Sequence, residues 1–276
     1  MRLTCVVDNA VERSSALWGE HGLAFLIEAN GRRLLFDMGQ SGTCLLHNLD
    51  LLGKKPGTID ALAMSHAHYD HSGGLPALME HLQRGISLYA NPDLFRERFS
   101  QKQGKLRSTG LSLSREALAE RLALRLHAWP QEILPGVWTT GEISERPEAE
   151  GKSDYLLMRE GEELVADAYR DDMALVLERD DRLMLLCGCC HAGLLNTLAH
   201  VNRIFEMPIA VIAGGLHLTG ITGDALRRTG ELLAAMPALE RVYPNHCTGE
   251  AAFVTLTQIL GSSVVCPCPA GTVLEF

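Results

Sequence analysis

The chain is poor in aromatic residues and in net positive charge, and both shortages exclude something. With 7 Phe, 5 Tyr and 3 Trp among 276 residues, composition gives little support for a broad stacking platform, although a single ring would serve one planar ligand. With 25 Lys and Arg against 34 Asp and Glu, the formal charge is −9. That argues against a general nucleic-acid surface and leaves open only a local basic patch. No stretch approaches the ~18 consecutive apolar residues of a membrane span. The start, MRLTCVVDNA, also lacks the basic-then-apolar layout of a signal peptide. No membrane partner is expected, and the cytoplasm is the expected location. Internal repeats and low-complexity tracts are absent as well.

The chain does have 8 Cys and 11 His. A length of 276 residues buries an ample core without staples. In a reducing cytosol the cysteines are thiols: small buried residues, ligands or reactive groups. Six of the eight fall after residue 186.

Short apolar or alternating runs at 2–8, 23–28, 33–37 and 60–65 read as strands. Asn30-Gly31 supplies a hairpin turn between the second and third, and residues 43–52 and 75–82 carry helical spacing. From about 91 to 150 the texture turns polar and locally basic, as an excursion from the core, with a loop near 145–153. Runs at 173–178 and 182–187 read as another hairpin across 179–181. A helix near 193–204, a strand at 208–213, a helix near 222–235, a strand at 241–243 and a helix near 249–260 follow. Hairpins interleaved with helices in both halves predict two mixed sheets covered by helices, an α/β (α+β) arrangement.

The densest chemistry is Ser65-His66-Ala67-His68-Tyr69-Asp70-His71-Ser72-Gly73-Gly74, placed after a strand and before a helix. Imidazole and carboxylate suit zinc and other first-row divalent ions. Alternate residues of an extended segment point the same way. His66 and His68 are therefore positioned for one ion, and Asp70 and His71, beyond the turn, for a second. Two metals need further ligands, and the candidates are His191 and His246, each in a loop after a strand-like run. Cys187-Gly188-Cys189-Cys190 contains a Cys-x-x-Cys, but no second such pair completes a four-cysteine site. Cys266-Pro267-Cys268 reads as a buried turn.

His-x-His-x-Asp-His after a short apolar strand resembles the metallo-β-lactamase superfamily, and Leu35-Phe36-Asp37-Met38-Gly39 looks like that superfamily's first motif. Glu20-His21-Gly22-Leu23, Thr140-Gly141-Glu142-Ile143, Gly188-Cys189-Cys190-His191-Ala192-Gly193, Gly214-Gly215-Leu216-His217-Leu218 and His246-Cys247-Thr248-Gly249 narrow the resemblance. They point to the branch containing dihydropterin-ribofuranosylaminobenzene phosphate synthase and related bacterial metal-dependent hydrolases. The resemblance implies a four-layer αββα sandwich as a single domain over 1–276, with a basic cap-like insertion at about 91–150.

It also implies that Asp37 orients the metal loop, that His246 stands where the last histidine ligand is expected, and that Asp70 lies beside the metal-bound water as the catalytic carboxylate. Many members have Gly-Asp after the hairpin strand, with the Asp bridging both metals; here Cys189 follows Gly188. Either Cys189 or His191 takes that role. A central histidine expected before the hairpin is missing, and Asp171-Asp172 occupy its neighbourhood, so Asp172 joins Cys189 and Asp37 as metal-binding or supporting residues.

Two divalent ions, zinc foremost with manganese, iron and magnesium open, lower the pKa of a shared water and polarise a carbonyl or phosphoryl oxygen. Hydrolysis is therefore the default reaction. His21 and His217 are placed at the rim for substrate. Arg96, Arg98 and Arg107, together with Lys102 and Lys105, form a basic run suited to gathering phosphate oxygens. The expected substrate is a small anionic, phosphorylated metabolite. Alternatives are a transferase joining a pterin pyrophosphate to a ribosyl-aminobenzene phosphate, and a non-catalytic metal or ligand sensor. A homo-oligomer is left open.

Overall fold

The computed structural model describes residues 1–276 other than Glu150, Lys152 and Thr222. Positions 150 and 152 of the expected 145–153 loop, and the first residue of the expected 222–235 helix, thus lie outside the described residues.

Seven strands form the first sheet: β1 (Arg2–Val7), β2 (Ala24–Ala29), β3 (Arg32–Phe36), β4 (Ala61–Ala63), β5 (Ser87–Ala90), β8 (Ala123–Leu126) and β17 (Val273–Glu275), in the order β17-β1-β2-β3-β4-β5-β8. The β2–β3 turn has Asn30 at φ 52° and Gly31 at φ 76°, the left-handed pair that a two-residue hairpin needs. The second sheet has the order β16-β15-β14-β13-β10-β9, built from β9 (Glu132–Leu134), β10 (Val137–Thr139), β13 (Leu175–Arg179), β14 (Arg182–Cys187), β15 (Ile209–Gly215) and β16 (Arg241–Asn245). Both sheets mix parallel and antiparallel pairs.

Alternation along the strands sorts the side chains into three layers of core. Phe25, Ile27, Leu34 and Phe36 of the first sheet meet Leu175, Leu177, Met184 and Leu186 of the second. The intervening Ala24, Leu26 and Leu35 face α1 (Gly42–Leu51), α3 (Leu75–Met79) and α4 (Arg115–Ala119). Val176, Leu183 and Leu185 face α5 (Leu194–Ile204), α6 (Gly223–Ala234) and α7 (Glu250–Leu260). Strands buried on both faces read as nearly unbroken apolar runs, which explains why these segments stand out in the sequence. The result is the expected αββα sandwich.

The excursion at 91–150 divides in two. β6 (Arg98–Lys102) and β7 (Lys105–Ser108) pair with β11 (Leu156–Glu160) and β12 (Glu163–Ala166) in a separate antiparallel sheet of order β12-β11-β6-β7. Residues 123–126, 132–134 and 137–139 instead return to the two core sheets. The cap is thus assembled from segments on either side of 150, because β6 finds its partner in β11. Among the described residues no helix is long and apolar enough to cross a membrane.

Candidate metal centre

The centre lies where strands of both sheets end. The short helix α2 (Tyr69–Ser72) follows the loop from β4 and carries Asp70 and His71, while His66 and His68 precede it. His191 follows β14, and His246 follows β16.

A shared device aims the imidazoles. His66 Nδ1 lies 2.9 Å from Ser65 Oγ, His71 Nδ1 2.7 Å from Asp37 Oδ2, His191 Nδ1 2.9 Å from the Gly151 carbonyl and His246 Nδ1 3.1 Å from Asn9 Oδ1. Where Nδ1–H donates to an oxygen, Nε2 is left with a lone pair, the tautomer a metal needs. The rings of His66, His68 and His191 stand edge to face, with centroids 4.7 to 4.9 Å apart. Their Nε2 atoms are buried and without a hydrogen-bond partner. Three convergent orphaned acceptors are costly unless something fills the gap between them, and a cation fits that donor set. Burial lowers the pKa of His66 and His191, and that of His68 to about 3, keeping all three neutral and able to ligate.

The second half is charged differently. Asp70 Oδ2 lies 3.4 Å from His246 Nε2, 3.7 Å from His71 Nε2 and 3.2 Å from His21 Nε2, and the Nε2 atoms of His71 and His246 are 3.2 Å apart. Burial opposes charge on His71, but Asp37 and Asp70 outweigh it and raise its pKa to about 9. The same histidines outweigh burial at Asp70 and hold its carboxyl well below the usual range. This cluster favours positive charge, which a divalent ion supplies.

Cys189 stands between the two halves. Its sulfur falls within 4.8 Å of the ligand atoms of His66 and His191, and also of those of His71 and His246. Cys189 and His191 therefore do not exclude each other, because they face different parts of the same centre. Cys189 Sγ also lies 3.2 Å from Cys247 Sγ and 3.1 Å from His217 Nδ1.

Close backbone approach builds this arrangement. A Cβ on Gly188 would come 2.2 Å from Ser65 Oγ and 2.9 Å from Asp37 Oδ2. Gly73 and Gly74 have ordinary helical φ angles of −68° and −76°, so what they supply is close approach rather than a left-handed turn. Added Cβ atoms would come 2.1 Å from the carbonyls of Gln40 and Met38, the loop that carries Asp37 into place. Asp37, Tyr169, Cys190, His217 and His246 all hold left-handed φ angles between 45° and 60°. Such strain gathers at functional sites.

The other expected site residues separate. Asp37 accepts from Ser65 N and Oγ at 2.7 Å each and supports His71. Asp172 Oδ2 accepts from Ala192 N at 2.7 Å, its Oδ1 is buried without a hydrogen-bond partner, and burial raises its carboxyl to about 6. His21 is half-exposed at the rim beside Asp70, and His217 lies with its ring centroid 4.3 Å from that of His191. Arg107 lines a cavity of about 470 Å³ that also contains His68, Asp70, Cys189, His191 and His246.

Arg98 and Arg96 do not fit the substrate role. Arg98 is buried and bonded to Asp93, Asp167 and Asp171 at 3.2, 2.9 and 2.6 Å; desolvation opposes its charge, but those carboxylates outweigh it and raise its pKa. Arg96 pairs with Asp93 at 2.9 Å and borders a separate depression with Glu97 and Arg159. Residues missed from the sequence include Asn9, Asp8, which accepts from His246 N at 2.8 Å, and Tyr169, whose ring stacks on His191 at 4.2 Å. Asp8-Asn9 at the end of a strand was a legible sign of the first two; Tyr169 gave none.

Residues 17–141 match the metallo-beta-lactamase superfamily. A 7,8-dihydropterin-6-methyl-4-(beta-D-ribofuranosyl)-aminobenzene-5'-phosphate synthase of Methanocaldococcus jannaschii is 29% identical over 259 residues, covering 90% of this chain and 88% of that protein. An uncharacterised protein of the same organism is 29% identical over 255 residues, covering 92% and 93%. Among solved structures, a metal-dependent hydrolase of the beta-lactamase superfamily shares the fold with a TM-score of 0.86 at 24% identity, covering 100% of this chain and 99% of that one. Zn(2+)-bound PqqB from Methylobacterium extorquens does so with a TM-score of 0.61 at 12% identity, each chain covered in full. The motifs, the matched segment, the relatives aligned along nearly the whole chain and the shared fold make this chain similar to the metallo-β-lactamase superfamily.

Proposed function

We propose that the protein is a hydrolase that works with two divalent ions, zinc foremost, and cleaves a small anionic, phosphorylated metabolite. The observation that carries this reading is the set of three buried, partnerless Nε2 atoms on His66, His68 and His191, with Cys189 between them and a second group of Asp70, His71 and His246. His66, His68 and His191 would hold one ion and Asp70, His71 and His246 the other, with the Cys189 thiolate between them. When bound, such a pair supplies Lewis-acid polarisation and a nucleophile at neutral pH. Asp37, Ser65, Asn9 and the Gly151 carbonyl fix the rings. Asp70, in reach of His21 at the cavity rim, is placed to hand a proton between the centre and that exposed imidazole.

The relative named as a synthase favours a second reading, a transferase. Against a stacking mode for it, the two tyrosines lining the cavity, Tyr69 and Tyr155, already have Arg107 and Lys102 against their rings. The missing bridging carboxylate favours a sensor; against it, Cys189 stands within reach of both halves of the centre and, although burial pushes its thiol up, would supply a sulfur ligand once a metal displaced its proton.

Metal analysis of protein purified without chelator is expected to give about two equivalents per chain, and one or none would sink the dinuclear reading. A panel of phosphomonoesters, phosphodiesters and lactones, compared between the native chain and His66→Ala, tests hydrolysis. Turnover that survives the substitution unchanged would exclude this centre as its source.

A further inference from the structure

The cap hairpin carries a graded row of cations, and only part of it is neutralised. β6 and β7 pair with Ser100 opposite Arg107 and Lys102 opposite Lys105. Opposed residues share a face and successive residues alternate. Arg98, Ser100, Lys102, Lys105 and Arg107 therefore lie on one face of the hairpin, with Phe99, Gln101, Leu106 and Ser108 on the other. Ser100, Lys102 and Arg107 line the cavity above the metal centre, so the cationic face overhangs it. At the inner end Arg98 is consumed by three carboxylates.

Lys102 and Arg107 are different. Among the described residues neither forms an ion pair. Lys102 Nζ lies 3.9 Å from the centre of the Tyr155 ring, and Arg107 Cζ lies 5.1 Å from that of Tyr69. Those rings steady the side chains without neutralising them. The one carboxylate among the described cavity residues is Asp70, at the metal end. Two cations without ion pairs, lining one cavity, make a site for a multi-oxygen anion.

We infer that Lys102 and Arg107 form an anion subsite, separate from the metal ligands, that binds a phosphate monoester carried by the substrate. This rests on the metal-centred hydrolase reading above and deepens it: the substrate has two ends, a reacting group at the metals and a phosphate under the hairpin. Arg98 marks the base of β6, since Asp171, its partner, accepts from Ala67 N between His66 and His68. At ~3.3 Å per residue, Arg107, opposite Ser100, stands roughly 7 Å along the strand from that base, and Lys102 roughly 13 Å.

Titration calorimetry of the metal-loaded full chain with glucose 6-phosphate, with glucose as the neutral control, tests this. Glucose 6-phosphate is expected to bind and glucose not to. Lys102→Ala/Arg107→Ala is expected to weaken binding by about tenfold or more, Arg107→Lys to recover part of the loss, and Arg241→Ala, an exposed charge outside the cavity, to leave the affinity within about twofold; chelator-treated protein is expected still to bind. Three results would overturn the subsite: no binding, affinity unchanged by the double substitution, or binding lost on chelator treatment of the native chain, which would put the phosphate on the metals. Glucuronate binding as tightly as glucose 6-phosphate would overturn the phosphate assignment. Failure of the two-metal reading appears separately, in the metal content of the same samples, and leaves the calorimetric comparison intact.

Discussion

The histidines of the centre owe their orientation to oxygens on residues that touch no metal. Asp37 is the clearest case, because a single carboxylate receives Ser65 N, Ser65 Oγ and His71 Nδ1. Asp37→Asn keeps the shape but turns an NH₂ toward one of these donors. The expected result is a folded protein with metal affinity lowered by about 10- to 100-fold, read by competition with a chromophoric chelator; unchanged affinity would dissociate Asp37 from the centre. Cys189 gives a second test at this scale. If its sulfur reaches a metal, the cobalt-substituted protein shows sulfur-to-cobalt charge transfer in the near ultraviolet. Cys189→Ser abolishes that band while Cys247→Ser keeps it. A band that follows Cys247 instead would reassign the ligand. Cys247 is held below its ordinary value: burial opposes the thiolate, but the hydrogen bond with Cys189 and the neighbouring His246 and His217 outweigh it.

Among the elements, the turn after β14 does the most for the site with the least side chain. Gly188 lets the chain pass against Ser65 and Asp37, so the second sheet delivers Cys189 and His191 beside the loop that the first sheet delivers. Gly188→Ala puts a methyl 2.2 Å from Ser65 Oγ. A shift of Ser65 frees Asp37 and, through it, His71. Stability is expected to fall by about 1–3 kcal/mol, with a loss of metal larger than that destabilisation alone explains. Urea unfolding and metal analysis of the same preparation check both parts, and a variant of native stability and full metal content would refute the role. The residues of β14 before this turn are apolar on both faces, which is why the strand was plain in the sequence while the purpose of the glycine after it was not.

For the molecule as a whole, the cap and the centre are joined through a buried ion cluster. Arg98 on β6 binds Asp93, Asp167 and Asp171, and Asp171 accepts from Ala67 N in the metal loop. Thr109, beyond β7, accepts from Tyr69 N at 2.8 Å, a second tie to the same loop. Arg98→Met leaves three carboxylates crowded without a counter-charge and is expected to cost about 3–5 kcal/mol, measured by urea unfolding. A loss below about 1 kcal/mol would mean that the cluster behaves as a surface pair and that the cap is held by other contacts.

This cluster also marks the limit of reading the sequence. Five cations between residues 96 and 107 look equivalent in a list. Their fates diverge because β6 pairs with β11, nearly sixty residues on, which brings Asp167 and Asp171 onto Arg98 and turns Lys102 and Arg107 toward the cavity.

The sequence by itself determined what depends on near neighbours. The central strands of both sheets and the longer helices follow from apolar periodicity, the first hairpin from Asn30-Gly31, and the metal loop from three imidazoles and a carboxylate packed into six residues; the short strands between 87 and 166 and the last strand, Val273–Glu275, do not. Tertiary structure alone decided what depends on partners far along the chain. It brought His191, Cys189 and His246 to the same point, tied Asp172 to Ala192 N beside His191, placed Asn9 behind His246 and Tyr169 behind His191, and divided the 91–150 excursion between the core and a third sheet. The physical reason is that periodicity records which face of an element is buried, whereas the identity of what buries it is fixed by strand pairing and close backbone approach across the fold.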